Sequence, residues 1–344
     1  MQTDVTEKKS QRKYLYLIGA LVLVFAAWSA FWYTSYTKTQ DLVSKLMDKE
    51  VNGVRLLSCA DQTLGGYPFR LVLTCSSYEI NDPRSGWQAR GGPLRTLWQV
   101  YAPNLAVIEA ENRLDLEHSL SGESFSMVAE LMRGSVRFSP SDFITRASFE
   151  AEKPVLSSNN PQLAQWLDDV SAEELALHLR PNPDNSDDLD LALSATDLSA
   201  NRLPVVSGEI AFTAVDGLSP AIRTQGNPAR AWLTQSGQIA GIDSRLEIGQ
   251  KTLKLGGDIS FDAIGLANGV LKLRILNLPA TEATSNFTLT AKKDGLNGPL
   301  TAMQLMGKPV KDGDLIGSEV KVTLDKGKIK TGFLTLGSIP PLQM

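Results

Sequence analysis

From residue 54 onward, apolar and polar side chains alternate along most of the chain. In the clearest run, Leu253, Leu255, Ile259, Phe261 and Ala263 alternate with Thr252, Lys254, Asp258, Ser260 and Asp262. A turn at Gly265–Gly269 follows, and then Leu271, Leu273 and Ile275 alternate with Lys272 and Arg274. Period two puts each apolar set on one face, so 252–277 predicts an antiparallel hairpin with one apolar side. Similar one-sided runs occur at Leu189–Leu191–Leu193, Ile210–Phe212–Ala214, Leu246–Ile248 and Val320–Val322–Leu324, with shorter ones near Val136–Phe138 and Phe149. Helical spacing is confined to Pro161–Leu179, Pro228–Gln235 around Trp232, and Leu300–Met306. The fold class is therefore mainly β (α+β): an extended antiparallel sheet, built as a sandwich, a β-roll or a groove, with a few short helices.

The N-terminal region breaks this pattern. Residues 14–33 carry no charge and span about 30 Å as a helix, the thickness of a hydrocarbon core. Trp28, Trp32, Tyr33 and Tyr36 form an aromatic collar at one end, with Tyr14 and Tyr16 at the other. Lys8, Lys9, Arg12 and Lys13 precede the stretch, which places the N-terminus in the cytoplasm and the rest of the chain across the membrane. A cleavable signal peptide is the rival reading, with small residues at Ala27, Ser29 and Ala30. Against it, the apolar run extends through Phe31-Trp32-Tyr33. Residues 37–50 continue as an amphipathic connector helix, with Leu42, Val43, Leu46 and Met47 on one face for docking to the domain. The expected organisation is a cytoplasmic tail (1–13), an anchor (14–36), the connector, a first β-rich half (51–180) and a second (189–344). The divide falls at the linker-like Pro181–Asp188.

The only two cysteines, Cys59 and Cys75, flank the run Gly65-Gly66-Tyr67-Pro68-Phe69-Arg70. The glycines permit a turn and Pro68 fixes its φ. Beyond it Phe69, Leu71, Leu73 and Cys75 alternate with Arg70, Val72 and Thr74 as a strand with one buried face. Two strands joined by this bend bring the cysteines together as a disulfide, in an oxidising compartment. The alternatives are two free thiols or half a metal site, and the spacing fits no zinc pattern. Arg70 has two readings: a guanidinium fork for phosphate or carboxylate, or a structural partner of Tyr67 or an acid on the strand.

Cys59, Gly66, Tyr67, Pro68, Phe69, Arg70 and Cys75 resemble the hallmark of domain-of-unknown-function family 2125, uncharacterised alphaproteobacterial envelope proteins. The ending Gly337-Ser338-Ile339-Pro340-Pro341-Leu342 resembles that family's C-terminus. The resemblance implies an envelope location and little chemistry. The hairpin at 252–277 also resembles the sheet repeats of AsmA-like proteins, single-span anchors with apolar β-grooves.

Composition narrows the chemistry further. Residues 14–344 carry 30 basic and 36 acidic side chains, so no basic surface for nucleic acid is expected. The two histidines, His118 and His178, sit in no motif, and no nucleophile elbow, phosphate loop, dinucleotide fingerprint or zinc helix is present. Asp184–Asp190 lacks the spacing of a calcium loop. No enzyme activity, catalytic residue, cofactor or metal is expected. The expected location is the bacterial inner membrane, single-pass, with the domain in the periplasm. The leading expectation is lipid handling on an apolar sheet face, with Leu255, Ile259, Phe261, Leu271 and Leu273 as groove residues and phospholipid or another envelope lipid as ligand. The alternative is a non-enzymatic scaffold with a self-covered β core that tethers envelope proteins.

Overall fold

The computed structural model describes residues 7–51, 53–83, 85–119, 121–139, 145–160, 170–200, 203–219, 222, 228–276, 307–313, 315–332 and 334–342. It opens with α1 (Glu7–Met47), which has 41 residues and extends about 60 Å at 1.5 Å per residue. No proline interrupts it, so the apolar stretch and the connector form one continuous helix. Side chains 13–27 are all exposed, and the helix is long and apolar enough to cross a membrane. From Trp28 on, a line of less exposed positions runs Trp28, Trp32, Tyr36, Thr39, Val43 and Met47, with Ser29, Ser35 and Thr37 beside it. The line's spacing of three and four marks one helical face. Leu42 and Leu46, expected on the docking face, are instead exposed. The face is set by the line from Trp28 to Met47, which leaves those two leucines a third of a turn away.

β1 (Glu50–Val51) and β2 (Val54–Arg55) form a small separate hairpin. β3 (Leu57–Cys59), β4 (Thr63–Gly65), β5 (Arg70–Cys75), β6 (Tyr78–Asp82), β7 (Trp87–Gly91) and β8 (Leu94–Gln99) are halves of bent strands. β3 pairs with β6 and β4 with β5; β6 then pairs with β7 and β5 with β8. Both β7 and β8 pair with β9 (Ala102–His118), which pairs with β10 (Ser124–Arg137). β11 (Arg146–Glu152) and β12 (Val155–Ser158) lie along β10, followed by β13 (Val170–Ser171) and β14 (Glu174–Pro181). β15 (Leu189–Ala200), β16 (Leu203–Val215), β17 (Gln238–Ile248), β18 (Lys251–Phe261) and β19 (Ala267–Leu276) continue in chain order. β19 pairs with β21 (Leu315–Asp325), whose other edge takes β20 (Lys308–Asp312) and β22 (Lys328–Thr331), with β23 (Leu334–Ser338) outermost. The ladders form one antiparallel series from β3–β4 to β23, and no register joins those two ends among the described residues.

The two faces of this sheet differ in chemistry because the period of each strand is two and the registers keep like with like. One face carries cross-strand ion pairs. Glu109 lies between Arg95 (3.9 Å) and Arg133 (3.5 Å), Arg180 meets Asp190 at 3.2 Å, and Arg274 meets Glu319 at 2.7 Å. Such exposed pairs contribute about 0–1 kcal/mol each and favour a soluble, correctly registered face more than they add stability. The other face is aliphatic. Its best-packed part is a cluster of Leu233, Ile242, Phe261, Ala267, Leu271, Val320, Val322 and Leu324. The short helix α2 (Pro228–Thr234), between β16 and β17, supplies Leu233 and lays Trp232 against that cluster, its Nε1 donating to Val215 O at 2.7 Å.

The helix expected over Pro161–Leu179 is corrected in its second part: Val170 lies in β13 and Leu175 and Leu177 in β14, and residues 161–169 lie outside the described set. Glu174-Leu-Ala-Leu-His-Leu-Arg180 has period two, and ladders to β11 and β15 on both sides extend it. Leu300–Met306 also lies outside the described residues. The linker-like stretch after Pro181 is a hairpin loop, and the sheet runs across it with Pro181 paired to Leu189.

Candidate functional site

Two features stand out: an apolar stripe running across the strands, and the seat of the cysteine-flanked loop on α1. The stripe is built from register. Leu64, Leu73, Thr96, Ile108, Gly134, Phe149, Leu177, Leu193, Ile210, Ser244, Leu255, Leu273 and Val320 are successive pairing partners from β4 to β21. A parallel row runs Cys75, Leu94, Ala110, Met132, Ala151, Leu175, Ala195, Gly208, Leu246, Leu253 and Ile275. At about 4.8 Å per strand the first row covers roughly 55 Å along the sheet. It holds no charged residue, and its only hydroxyls are Thr96 and Ser244, of which Ser244 Oγ accepts from Leu255 N at 3.0 Å.

Cover along the stripe is uneven. At the β17–β21 end it is best packed: Ile275 is 1% exposed, and Phe261 and Leu271 are buried beneath α2 and its neighbours. The five residues singled out from sequence all fall in this packed end. Leu271 and Phe261 are in the core cluster, and Leu255, Ile259 and Leu273 pack against it half-buried. Nearer the middle, Phe149, Leu177, Leu179, Leu191 and Ile210 are only half-buried, and Leu193 is 45% exposed. A second sheet packed face to face would bury all of them. The alternation had marked Leu189–Leu193, Ile210 and Phe149 as one-sided, but single strands do not reveal that their apolar sides share one row.

At the other end, Cys59 and Cys75 are joined by a disulfide that ties β3 to the end of β5. The Thr63 and Thr74 hydroxyls also hydrogen-bond across β4 and β5. Leu71, Leu73 and Cys75 are buried as the alternation requires, while Phe69 is 60% exposed. β5 begins at Arg70, so Phe69 belongs to the preceding turn and escapes the strand's alternation. That turn, with a cis Tyr67–Pro68 bond, sits on α1. Trp28 Nε1 donates to Pro68 O at 2.8 Å and Trp32 Nε1 to Arg70 O at 3.1 Å. The Tyr67 hydroxyl meets Ser29 Oγ at 2.9 Å. Tyr67 also stands edge-on to Phe25 and Trp32, and Phe69 lies 5.8 Å from Trp28, centroid to centroid. The Arg70 side chain is exposed, and neither Tyr67 nor an acid holds it among the described residues.

The remaining candidates are structural. His118 closes a turn, its ring nitrogens 3.1 Å from Ser85 O and 2.8 Å from Ser121 Oγ. His178 meets Ser148 Oγ at 2.9 Å on the polar face. Asp190 is pushed up by burial, yet hydrogen bonds from Asn182, Thr213 and Arg180 outweigh this and hold it below the usual carboxylate range. Among the described residues no group of three or more His, Cys, Asp or Glu side chains is arranged to hold a metal ion.

A family model described as "Uncharacterized protein conserved in bacteria (DUF2125)" matches residues 32–340. No curated protein and no solved structure matches the chain. The match begins at Trp32, inside the face of α1 that carries the loop, and takes in every strand of the sheet.

Proposed function

The chain belongs to the bacterial family DUF2125, and from that premise we propose that it is a single-pass, membrane-anchored envelope protein that holds lipid acyl chains along its apolar sheet face. The observation that carries this reading is the uncharged row from Leu64 to Val320, half-open between Phe149 and Ile210. Apolar area left half in water costs about 25 cal/mol per Å² relative to burial, and an acyl chain laid along the row removes that cost without needing a polar anchor. The sheet end nearest α1 carries the same row, so the surface is continuous from the anchor outward. The basic residues before the span support an orientation with the domain on the periplasmic side of the inner membrane, and the Cys59–Cys75 bond suits that oxidising compartment. The reading includes no catalytic step, metal or cofactor.

The test is photocrosslinking in cells. A benzophenone amino acid replaces Leu177 or Leu193 on the apolar face, or His178 or Arg245 on the polar face. Phospholipid adducts are expected from the first two positions and not from the second two. Protein adducts without lipid at 177 and 193 would favour the scaffold reading. That reading draws on the outermost strand β23, where Leu334 and Leu336 are exposed and the edge that no strand pairs among the described residues can pair with another chain.

A further inference from the structure

Resting on the reading that α1 spans a membrane, we infer that the turn Gly66–Arg70, with the neighbouring turn at Val100–Tyr101, is embedded in the bilayer leaflet on the side of the β domain. The position of the turn follows from its contacts. Residues 14–37 are uncharged, and a hydrocarbon core takes about 20 residues of helix. However the span slides within those limits, residues 18–33 stay inside the core. Phe25, Trp28, Ser29 and Trp32 all lie in that interval, and all four touch the turn through Tyr67, Pro68, Phe69 or Arg70. Side chains packed beside buried helix positions meet the same lipid.

The turn's own chemistry fits that medium. Backbone polar groups in lipid need partners inside the protein. Pro68 has no N–H, and its carbonyl accepts from Trp28 Nε1. Gly66 O accepts from Arg70 N at 3.2 Å, Phe69 O from Val100 N at 3.1 Å, and Arg70 O from Trp32 Nε1. Yet the rings around these satisfied carbonyls are not buried in the protein: Tyr67 is 48%, Phe69 60% and Tyr101 62% exposed. Tyr101 joins the group because Arg70 pairs with Gln99, which puts the β8–β9 turn beside the β4–β5 turn. Three exposed aromatic rings with these four carbonyls paired beneath them form the surface that a membrane interface takes up. The exposed Arg70 guanidinium, one residue beyond Phe69, is placed for a lipid phosphate.

The test uses the full chain in vesicles of phosphatidylethanolamine and phosphatidylglycerol. Single cysteines replace Val22, Phe69, Tyr101 or Ile264 and carry a nitroxide, while Cys59 and Cys75 stay locked in their disulfide. Accessibility to oxygen, which prefers lipid, is compared with accessibility to a water-soluble nickel chelate. Labels at 22, 69 and 101 are expected to favour oxygen, and the label at the exposed turn residue Ile264 to favour nickel. Labels at 69 and 101 that match 264 while 22 stays in lipid overturn the inference alone. Water at 22 overturns the anchor reading instead. Lipid at 69 with water at 101 overturns the two-turn arrangement. Arg70→Glu is expected to raise nickel accessibility at 69 at least two-fold, and no change overturns the phosphate contact. Each labelled variant is checked for an unreactive Cys59–Cys75 pair, so that a misfolded sample is recognised as such.

Discussion

Leu276 and Leu193 are the same residue type on long strands, yet their surroundings differ completely. Leu276 is 0% exposed at the end of β19, whereas Leu193 stands half out of the stripe. Leu276→Ala removes a fully packed side chain and is expected to cost about 2–5 kcal/mol, while Leu193→Ala should cost less than about 1 kcal/mol. Chemical unfolding of both variants measures the difference, and equal losses would mean that Leu193 is covered after all. Small residues matter by the same logic. Gly91 has Tyr78 lying across it, close enough that a Cβ would collide with the ring. That contact leaves Tyr78 buried, and burial, followed by the nearby Asp115 charge, raises its phenol above the ordinary value. Nothing in the sequence around Gly91 announced a ring above it, because the partner lies on the neighbouring strand. Arg70 was equally illegible: its two sequence readings could be weighed only once its neighbours in space were known.

Among the elements, the strands were largely legible and their company was not. Alternation at Leu253–Phe261 located β18 within two residues, and Pro228 marked the start of α2; β19 begins at Ala267, inside the turn expected over Gly265–Gly269, because Ala267, Asn268 and Gly269 pair with Phe261, Ser260 and Ile259. Alternation failed at Phe69, one residue before β5 begins, and helical spacing misled at Leu175–Leu177, where two flanking strands impose the extended form. The seat of the loop on α1 joins residues about forty apart, such as Trp28 and Pro68, through indole-to-carbonyl bonds that no periodicity encodes. The disulfide closes the hairpin that carries the loop. Cys59→Ser is expected to lower stability by about 2–5 kcal/mol, read from the unfolding midpoint with and without reductant. Wild-type protein should converge on the variant's midpoint once reduced. A variant with an unchanged midpoint would show that the strand ladders alone hold the hairpin.

At the scale of the whole molecule, carboxylates are spread along the polar face and several titrate low. Asp115 is held down first by its hydrogen bond from Arg113, Asp312 by Lys254 and Asp325 by Lys330. A carboxylate depressed in the folded state stabilises above the unfolded value, near 4, and that contribution is lost as pH falls through the lower folded values. Stability is therefore expected to hold from neutral pH down to about 4 and to decline below it, with urea midpoints measured across that range as the check. A midpoint that rises on acidification would reverse the sign. The boundary suggested by the polar stretch after Pro181 could not be judged from composition, because a hairpin loop and a linker draw on the same residues. The order of the sheet has one more consequence. From β14 to β19 each strand pairs with the one made just before it, so this part of the sheet can grow at its edge as the chain arrives. Excising two consecutive strands, such as β15 and β16, leaves β14 and β17 antiparallel, with their apolar sides still on one face. The molecule's reach is thereby set in increments of one hairpin, about 10 Å apiece, and evolution can lengthen or shorten it without redesigning either end.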